Sequence, residues 1–188
     1  MLHERQIAGA AYDPRGAYGM ALAYCTSNRG GCHLRAYPIS HEILRKPVPT
    51  DRFSFSGKAR IISIAEDTNA TVDSLVACKF AFFGASLEEY AELMTATTGV
   101  EYSPQRLKEI GRRIVLSERF YNCANGFSRK DDMLPERFFN EPGSSGDGID
   151  ITPIDRTRFT EELDKYYRIR GLNADGCFDD QTFLENQP

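Results

Sequence analysis

The sequence lacks the features that mark several large functional classes. It contains no tryptophan, and only three histidines are spread over its 188 residues. No apolar run approaches the roughly 20 residues that a membrane-spanning helix needs. The net charge of −4 gives no general reason for binding nucleic acid or an anionic membrane. We therefore expect partners other than nucleic acid and membranes.

Closely paired cysteines are also absent. The five cysteines are dispersed and form no CxxC pair: Cys25, Cys32, Cys78, Cys123 and Cys177. Such a set argues against a disulfide framework and fits a reducing compartment. It also argues against a zinc site built from this chain alone. The opening residues MLHERQIAG lack the apolar core of a secretion signal, so a cytoplasmic location is the default.

Alternating strand patterns, a glycine-rich phosphate loop and Ser-His-Asp spacing are missing as well, whereas helix signals are common. Asp13-Pro14 predicts a helix start, and the small-residue segment that follows is expected to stop at Gly30-Gly31. The small side chains suggest close packing against protein or a cofactor. Between Gly57 and Phe83 we expect two helical pieces with a turn near 68–71.

The second half of the chain carries three further helix signals. Ser86 to Glu89 is a capping box whose helix should end at Gly99. Ser103-Pro104 opens a helix to about Cys123, with one face marked by Leu107, Ile110, Ile114 and either Glu118 or Arg119. A last helix is predicted over 156–170, with Phe159, Leu163 and Tyr166 inward and Gly171 as its stop. The fold class is therefore all-α, an irregular helical bundle with long loops.

Two connections are unusually long for a compact helical domain. The segments 46–57 and 127–153 look too polar for a core, so we expect them to wrap a partner domain outside this chain. Within the second, FSRKDDMLP at 127–135 is typical of a solvated salt-bridge patch that stabilises the fold little.

The clearest candidate for chemistry is His33. A lone histidine near a helix end most often satisfies backbone groups, whereas a functional one would transfer protons near neutral pH beside a substrate pocket. Its neighbour Cys32 is interpreted as a small buried hydrophobe.

Asp73 and Cys78 form the second candidate, in the segment DSLVAC. The ordinary interpretation is a helix-end carboxylate followed by a buried cysteine. The functional one is a hydrogen-bond acceptor for a polar cofactor and a thiolate ligand. Because iron–sulfur clusters usually need four cysteines, a single one can supply only part of such a site.

Four segments together resemble the tungsten-dependent aldehyde ferredoxin oxidoreductases. They are YDPRGAYGMALAYCTSNRGGCHLRAY at 12–37, KARIISIAEDTNATVDSLVACKF at 58–80, the stretch at 98–138 that contains FSRKDDMLP, and LDKYYRIRGLNADG at 163–176. They occur in the family's order and span nearly the whole chain.

The resemblance implies that this chain corresponds to the carboxyl-terminal helical domains of a longer enzyme. On that basis, residues 1–50 are expected to end the second helical domain, with a cofactor-facing segment. Residues 51–188 would form the third helical domain with a C-terminal arm. The absent amino-terminal half would hold most pterin contacts and three of the four cysteines of a [4Fe–4S] cluster.

The resemblance also implies site residues. The family's second DxxGLC motif falls on 73–78, so Asp73 would hydrogen-bond a pterin and Cys78 would be the fourth cluster ligand. Ala77 shares this cofactor-binding segment, although Val76 and Ala77 stand where the motif has Gly and Leu. His33 becomes the candidate for proton transfer, and Arg35 would contact the phosphate-bearing part of the cofactor.

The implied reaction is oxidation of an aldehyde to a carboxylic acid at a tungsten bis-pterin, with electrons passed through the cluster to ferredoxin. Molybdenum in place of tungsten, and reduction of aromatic thioester rings, stay open alternatives. Three interpretations of the chain itself stay open. It is a fragment that needs its amino-terminal half, or a separately encoded subunit, or a degenerate helical interaction module.

Overall fold

The described part of the protein is helical. The structure, a computed structural model, describes residues 12–82, 84–144, 146 and 148–179. The helices are α1 (Tyr18–Thr26), α2 (Ile39–Glu42), α3 (Lys58–Ser74), α4 (Lys79–Phe82), α5 (Leu87–Thr98), α6 (Pro104–Ala124), α7 (Arg137–Asn140) and α8 (Arg156–Arg170). Over these residues there is no strand, only an isolated bridge between Gly146 and Ile149. The all-α prediction is confirmed.

Some sequence predictions lie outside this range. The opening residues MLHERQIAG precede the first described residue, and Phe83 and the end of the C-terminal arm are not described either. Among the described helices, none is both long and apolar enough to cross a bilayer.

Helix α1 lies at the centre of the molecule. All nine of its residues are buried, and it contacts α3 and α8. Gly19, Ala21 and Ala23 allow this packing because their side chains add little bulk. The predicted boundaries of this helix were wrong. Asp13-Pro14 opens a 3-10 turn, Pro14–Gly16, and α1 ends at Thr26, where the backbone becomes extended at Ser27.

Helix α3 is continuous, so the predicted turn near 68–71 is wrong. Two of the polar residues that suggested a break, Asn69 and Thr71, find partners on neighbouring elements. Asn69 Nδ2 donates to the carbonyl of Arg35 (3.0 Å). Thr71 Oγ1 donates to the carbonyl of Leu107 (2.7 Å). Because tertiary contacts satisfy these side chains, they do not compete with the helix backbone. The helix continues to Ser74 and ends there.

The capping box and the boundaries of α5 and α6 are confirmed. The predicted inward face of α6 is partly wrong, because Ile110 is 37% exposed. The buried row instead includes Leu107, Gly111, Val115 and Arg119, spaced four residues apart. Gly111 is required there, since a Cβ at this position would lie 1.8 Å from the carbonyl oxygen of Asp67 on α3.

Helix α8 matches its prediction. Asp155 caps its first turn, Gly171 ends it with φ 74°, and Phe159, Leu163 and Tyr166 are buried. Arg170, in its last turn, forms buried ion pairs with Glu66 and Asp67 of α3. These charges join the two helices inside the protein.

The long connections contribute more to the core than their polarity suggested. Phe55 belongs to the main hydrophobic cluster, as do Leu134, Phe138 and Phe139 of the second connection. The prediction that both segments lie outside the core is therefore wrong. Isolated large apolar residues are enough to anchor a polar segment, because each loses most of its water-exposed area on packing.

FSRKDDMLP is not a solvated patch either. The side chain of Asp132 is fully buried. Arg119 donates to both of its carboxylate oxygens, at 3.0 and 2.6 Å, and the Tyr167 hydroxyl donates to one of them at 2.7 Å. This bidentate pair fastens the connection to α6 and α8.

The expectation of unpaired cysteines is wrong in one place. Cys123 and Cys177 form a disulfide across 54 residues of sequence. Sequence spacing concealed the pair because residues 173–177 fold back onto the end of α6, where Arg119 Nε donates to the carbonyl of Gly176 (2.7 Å).

Candidate functional site

A cleft of about 640 Å³ lies where the segment after α1 meets α3, α4 and α6. Its lining includes residues that carry charge or a thiol: Arg29, Arg35, Asp73, Cys78, Lys79 and Glu118. The fold therefore brings together three residues predicted from the sequence, Arg35, Asp73 and Cys78. It adds Glu118 and Lys79, which sequence reasoning did not assign to a site.

Arg35 is anchored through both its backbone carbonyl and its guanidinium group. Its carbonyl accepts from Asn69, and its Nη2 donates to Glu118 Oε1 at 2.7 Å. Its Nη1 lies 3.7 Å from Asp73 Oδ2. Its Nε is buried and has no hydrogen-bond acceptor among the described residues. A buried donor without an acceptor is costly, so this atom suits an anionic ligand.

Asp73 lies in the last turn of α3, where its Oδ1 is 3.1 Å from Lys79 Nζ. Together with Arg35 and Arg29, Lys79 gives the cleft three cations against the two carboxylates of Asp73 and Glu118. The surplus is positive although the chain as a whole is acidic. The cleft is electrostatically suited to an anion.

Cys78 is exposed and not in a disulfide, at the junction between the end of α3 and α4. The turn before it places Val76 at φ 55°, in the left-handed region that favours glycine. The N–H of Ala77 donates to the carbonyl of Val72 at 3.2 Å. Ala77 itself does not line the cleft.

His33 does not line the cleft either. Its ring packs edge-on against Tyr12, with ring centroids 6.1 Å apart. Tyr12 also accepts, through its carbonyl, a hydrogen bond from the buried Tyr24 hydroxyl, and burial raises the pKa of Tyr24 to about 12. His33 thus belongs to an aromatic environment beside the charged cleft.

Cys32 is a correction to the sequence interpretation. It is half-buried, and its sulfur accepts from the Arg29 guanidinium at 2.9 and 3.2 Å. The Cys32 thiol therefore contacts the polar side chain of Arg29, three residues earlier, and does not lie in the hydrophobic core. Cys25 is the cysteine that behaves as a buried hydrophobe, since it belongs to the main core cluster.

Comparison with known proteins gives this cleft a family context. A family model described as aldehyde ferredoxin oxidoreductase, domains 2 and 3, matches residues 2–185. The chain belongs to the aldehyde ferredoxin oxidoreductase family. Its resemblance to that family in four sequence segments is thereby confirmed, and the helical architecture agrees with those two domains.

Three similar proteins are named tungsten-containing aldehyde ferredoxin oxidoreductase. The chain is 39% identical to that of Pyrococcus furiosus over 88% of its own length, and 37% identical to that of Pyrococcus horikoshii over 93%. It is 38% identical to that of Thermococcus kodakarensis over 88%. The aligned part spans only 27% or 28% of these relatives. The rest of such an enzyme lies outside this sequence.

The described residues of this chain offer few grouped metal ligands. Within residues 12–179, as far as they are described, no three His, Cys, Asp or Glu side chains are grouped to hold a metal ion. Cys78 offers one exposed thiol. A cluster with four thiolate ligands would fit here only if the other three came from outside these residues.

Proposed function

We propose that this chain is the carboxyl-terminal part of an aldehyde:ferredoxin oxidoreductase. The complete enzyme would oxidise aldehydes to carboxylic acids in the cytoplasm and pass the electrons to ferredoxin. The observation that carries the proposal is the positively charged cleft that joins Arg35, Asp73 and Cys78. Family membership supplies the reaction class.

The residues of the cleft suit the cofactors of this proposal. When bound, a tungsten or molybdenum bis-pterin supplies two-electron oxidation, and a [4Fe–4S] cluster carries single electrons. Arg35 would bind the phosphate-bearing part of the pterin through its unpaired Nε donor. Asp73 would accept a pterin N–H, because a carboxylate has capacity for more acceptor contacts than its two ion pairs occupy.

Cys78 would be the fourth cluster ligand, and its exposure supports a role at an interface with the part of the enzyme that holds the other three. Ala77 would approach the cofactor through its position beside Cys78. We assign proton transfer to His33, whose imidazole would hold or release one of the two protons liberated when an aldehyde and water become a carboxylic acid. Its position two residues from Arg35 supports this role.

The partner of this chain would be the amino-terminal portion of the enzyme, in the same polypeptide or in a separate subunit. In that assembly, residues 1–50 would belong to the second helical domain and residues 51–188 to the third. The buried ion pair between Glu42 and Lys58 (2.8 Å) would hold these two parts together.

The test is reconstitution under anaerobic conditions. The chain is purified alone and also co-expressed with the portion of the Pyrococcus furiosus relative that it does not cover. Iron, tungsten and aldehyde-dependent viologen reduction are then measured. We expect no stoichiometric cluster and no turnover from the chain alone, and both from the pair. A catalytically inert pair with normal metal content would favour a degenerate interaction module.

Two substitutions in the pair separate the roles. Cys78→Ser should lower the iron content, whereas Cys32→Ser, a matched change at the other partly exposed thiol, should not. His33→Ala should lower turnover strongly and leave iron and tungsten unchanged. Full turnover in His33→Ala would return this residue to a structural role, and full iron in Cys78→Ser would remove the ligand assignment.

A further inference from the structure

Glu118 on α6 reaches the cleft and contacts Arg35. We propose that Glu118 is a positioning residue, which orients the Arg35 guanidinium toward an anionic, phosphate-bearing ligand in the cleft. This inference rests on the anion-binding role proposed for Arg35. Glu118 itself need not touch the ligand.

Glu118 is well placed to hold another side chain because it is itself held. Its Oε2 accepts from Asn28 Nδ2 at 3.3 Å. Asn28 is anchored on the same helix, since its Nδ2 donates to the carbonyl of Val115 (2.8 Å) and its carbonyl accepts from Asn122 (2.7 Å). The carboxylate therefore has one oxygen fixed by α6-bound Asn28 and the other directed to Arg35.

Among the described residues, Glu118 is the side chain that anchors Arg35 strongly. The Nη2 to Oε1 distance is 2.7 Å, whereas the 3.7 Å separation from Asp73 is too long for a hydrogen bond. The buried Nε–H has no acceptor among the described residues, and Arg35 lines the cleft. Without Glu118, the Arg35 guanidinium would lose this anchor, and the Arg35 side chain would regain rotamer freedom.

Positioning and simple electrostatics predict opposite effects of removing Glu118. Its negative charge opposes an anion, so a purely electrostatic role predicts tighter anion binding when it is neutralised. A positioning role predicts weaker binding in Glu118→Ala, because the ligand must then order Arg35 itself. Glu118→Gln keeps an acceptor oxygen for Arg35, while it removes the charge and the longer 3.3 Å contact with Asn28, so it separates the two effects.

The order of Arg35 is measured directly by NMR on the ¹⁵N-labelled 188-residue chain. The heteronuclear NOE of the Arg35 Nε–H reports fast motion of the guanidinium. We expect a rigid signal in the wild type and in Glu118→Gln, and a mobile one in Glu118→Ala. Glu109→Ala is the matched control, since Glu109 is an exposed residue of α6 that contacts Gln105. It should leave Arg35 rigid.

The same samples are titrated with inorganic pyrophosphate as the anion probe. We expect Glu118→Ala to bind about threefold to tenfold more weakly than the wild type, the range for ordering one long side chain. Glu118→Gln should bind as well or better, and Glu109→Ala as the wild type. A rigid Arg35 in Glu118→Ala, or equal or tighter binding there, overturns the proposal.

The anion role of Arg35 is tested separately by Arg35→Gln. Lost binding in this variant, together with unchanged binding in Glu118→Ala, would overturn the positioning role and leave the anion role intact. Unchanged binding in Arg35→Gln, or no pyrophosphate binding by the wild type, would overturn both.

Discussion

Asp132 is a buried charge inside a segment of charged residues. Its carboxylate is matched by the Arg119 guanidinium and the Tyr167 hydroxyl, so its desolvation is compensated by three hydrogen bonds. Such a pair matters most when one partner is lost, because the other charge is then buried alone.

We therefore expect Asp132→Asn to lower the free energy of unfolding by about 3–5 kcal/mol, measured by urea denaturation. Asp131→Asn is the control: Asp131 accepts from the backbone N–H of Ser128 (2.9 Å), and an Asn oxygen can still accept this bond, so the change should cost less than about 1 kcal/mol. Equal effects of the two variants would show that the Arg119 contact contributes no more than the cap.

Val76 lies in a strained backbone conformation at the predicted cofactor segment. Its φ is 55°, and its side chain is 94% exposed, so it gains little from burial. A β-branched residue in the left-handed region costs on the order of 1–3 kcal/mol.

Val76→Gly should raise the free energy of unfolding by up to about 1 kcal/mol, because relief of strain exceeds the entropy gained by the unfolded chain. Val100 is a matched exposed valine that lacks a positive φ. Val100→Gly should lower the free energy of unfolding instead. A loss of stability in both variants would contradict strain at Val76.

Helices α3 and α6 cross at a glycine. At Gly111 a Cβ would lie 1.8 Å from the backbone oxygen of Asp67 and 2.5 Å from Thr71 Oγ1. Backbone atoms cannot yield as a flexible side chain does, so an added methyl group must separate the helices.

Gly111→Ala is therefore expected to destabilise the protein by about 2–4 kcal/mol, although alanine is the better helix former. Glu109→Ala, on the exposed side of the same helix, should change the thermal midpoint little. An unchanged midpoint in Gly111→Ala would mean that the crossing is looser than described.

Helices α3 and α8 are joined by buried charges, with two carboxylates against one guanidinium. Burial raises the pKa of the Glu66 carboxyl despite the opposing effect of Arg170. The folded protein therefore binds this proton more tightly than the unfolded chain does. The contribution of Glu66 to stability is greatest at low pH and falls as the pH rises from about 4.3 through its raised pKa.

The predicted fall in the stability contribution of Glu66 with increasing pH is tested with Glu66→Gln. This variant keeps an acceptor oxygen for Arg170 and Tyr166 but does not titrate. Denaturation of both proteins is followed from pH 4 to pH 8. The stability of the wild type minus that of Glu66→Gln should decline with increasing pH. A difference that grows with pH would mean that the ion pair with Arg170 outweighs burial.

The Cys123–Cys177 disulfide links the end of α6 to the segment after α8. Thiol titration of the denatured, unreduced chain should give three free cysteines, Cys25, Cys32 and Cys78, and all five after reduction. Closing a loop of this length corresponds to about 4 kcal/mol of stability in the chain-entropy model. Cys123→Ala should show this loss, and Cys32→Ala should not. Five free thiols without reductant would contradict the disulfide.

The helical class could be predicted from the sequence because caps and stops are local. Ser86, Ser103 and Asp155 bond to backbone N–H groups within their own first turns, so each helix start is marked within four consecutive residues. Where a prediction failed, as in α3 at 68–71, the deciding partners were distant in sequence.

The residues of the candidate site also divide into those that the sequence indicated and those that only the structure revealed. Arg35, Asp73 and Cys78 could be named from a sequence resemblance, and they share one cleft. Glu118 could not, since a carboxylate on a long helix is usually solvated. Its only sequence signal was its position on the inward side of α6.

The sequence by itself determined the helical class and the family, because both depend on local patterns of residues. The tertiary structure decided which charges are buried and which line the cleft. Asp132 and Glu118 look alike as acidic residues among basic ones, yet one fastens the core and the other holds Arg35. That difference comes from residues far away in the chain, whose packing sets the water and the counter-charges around each carboxylate.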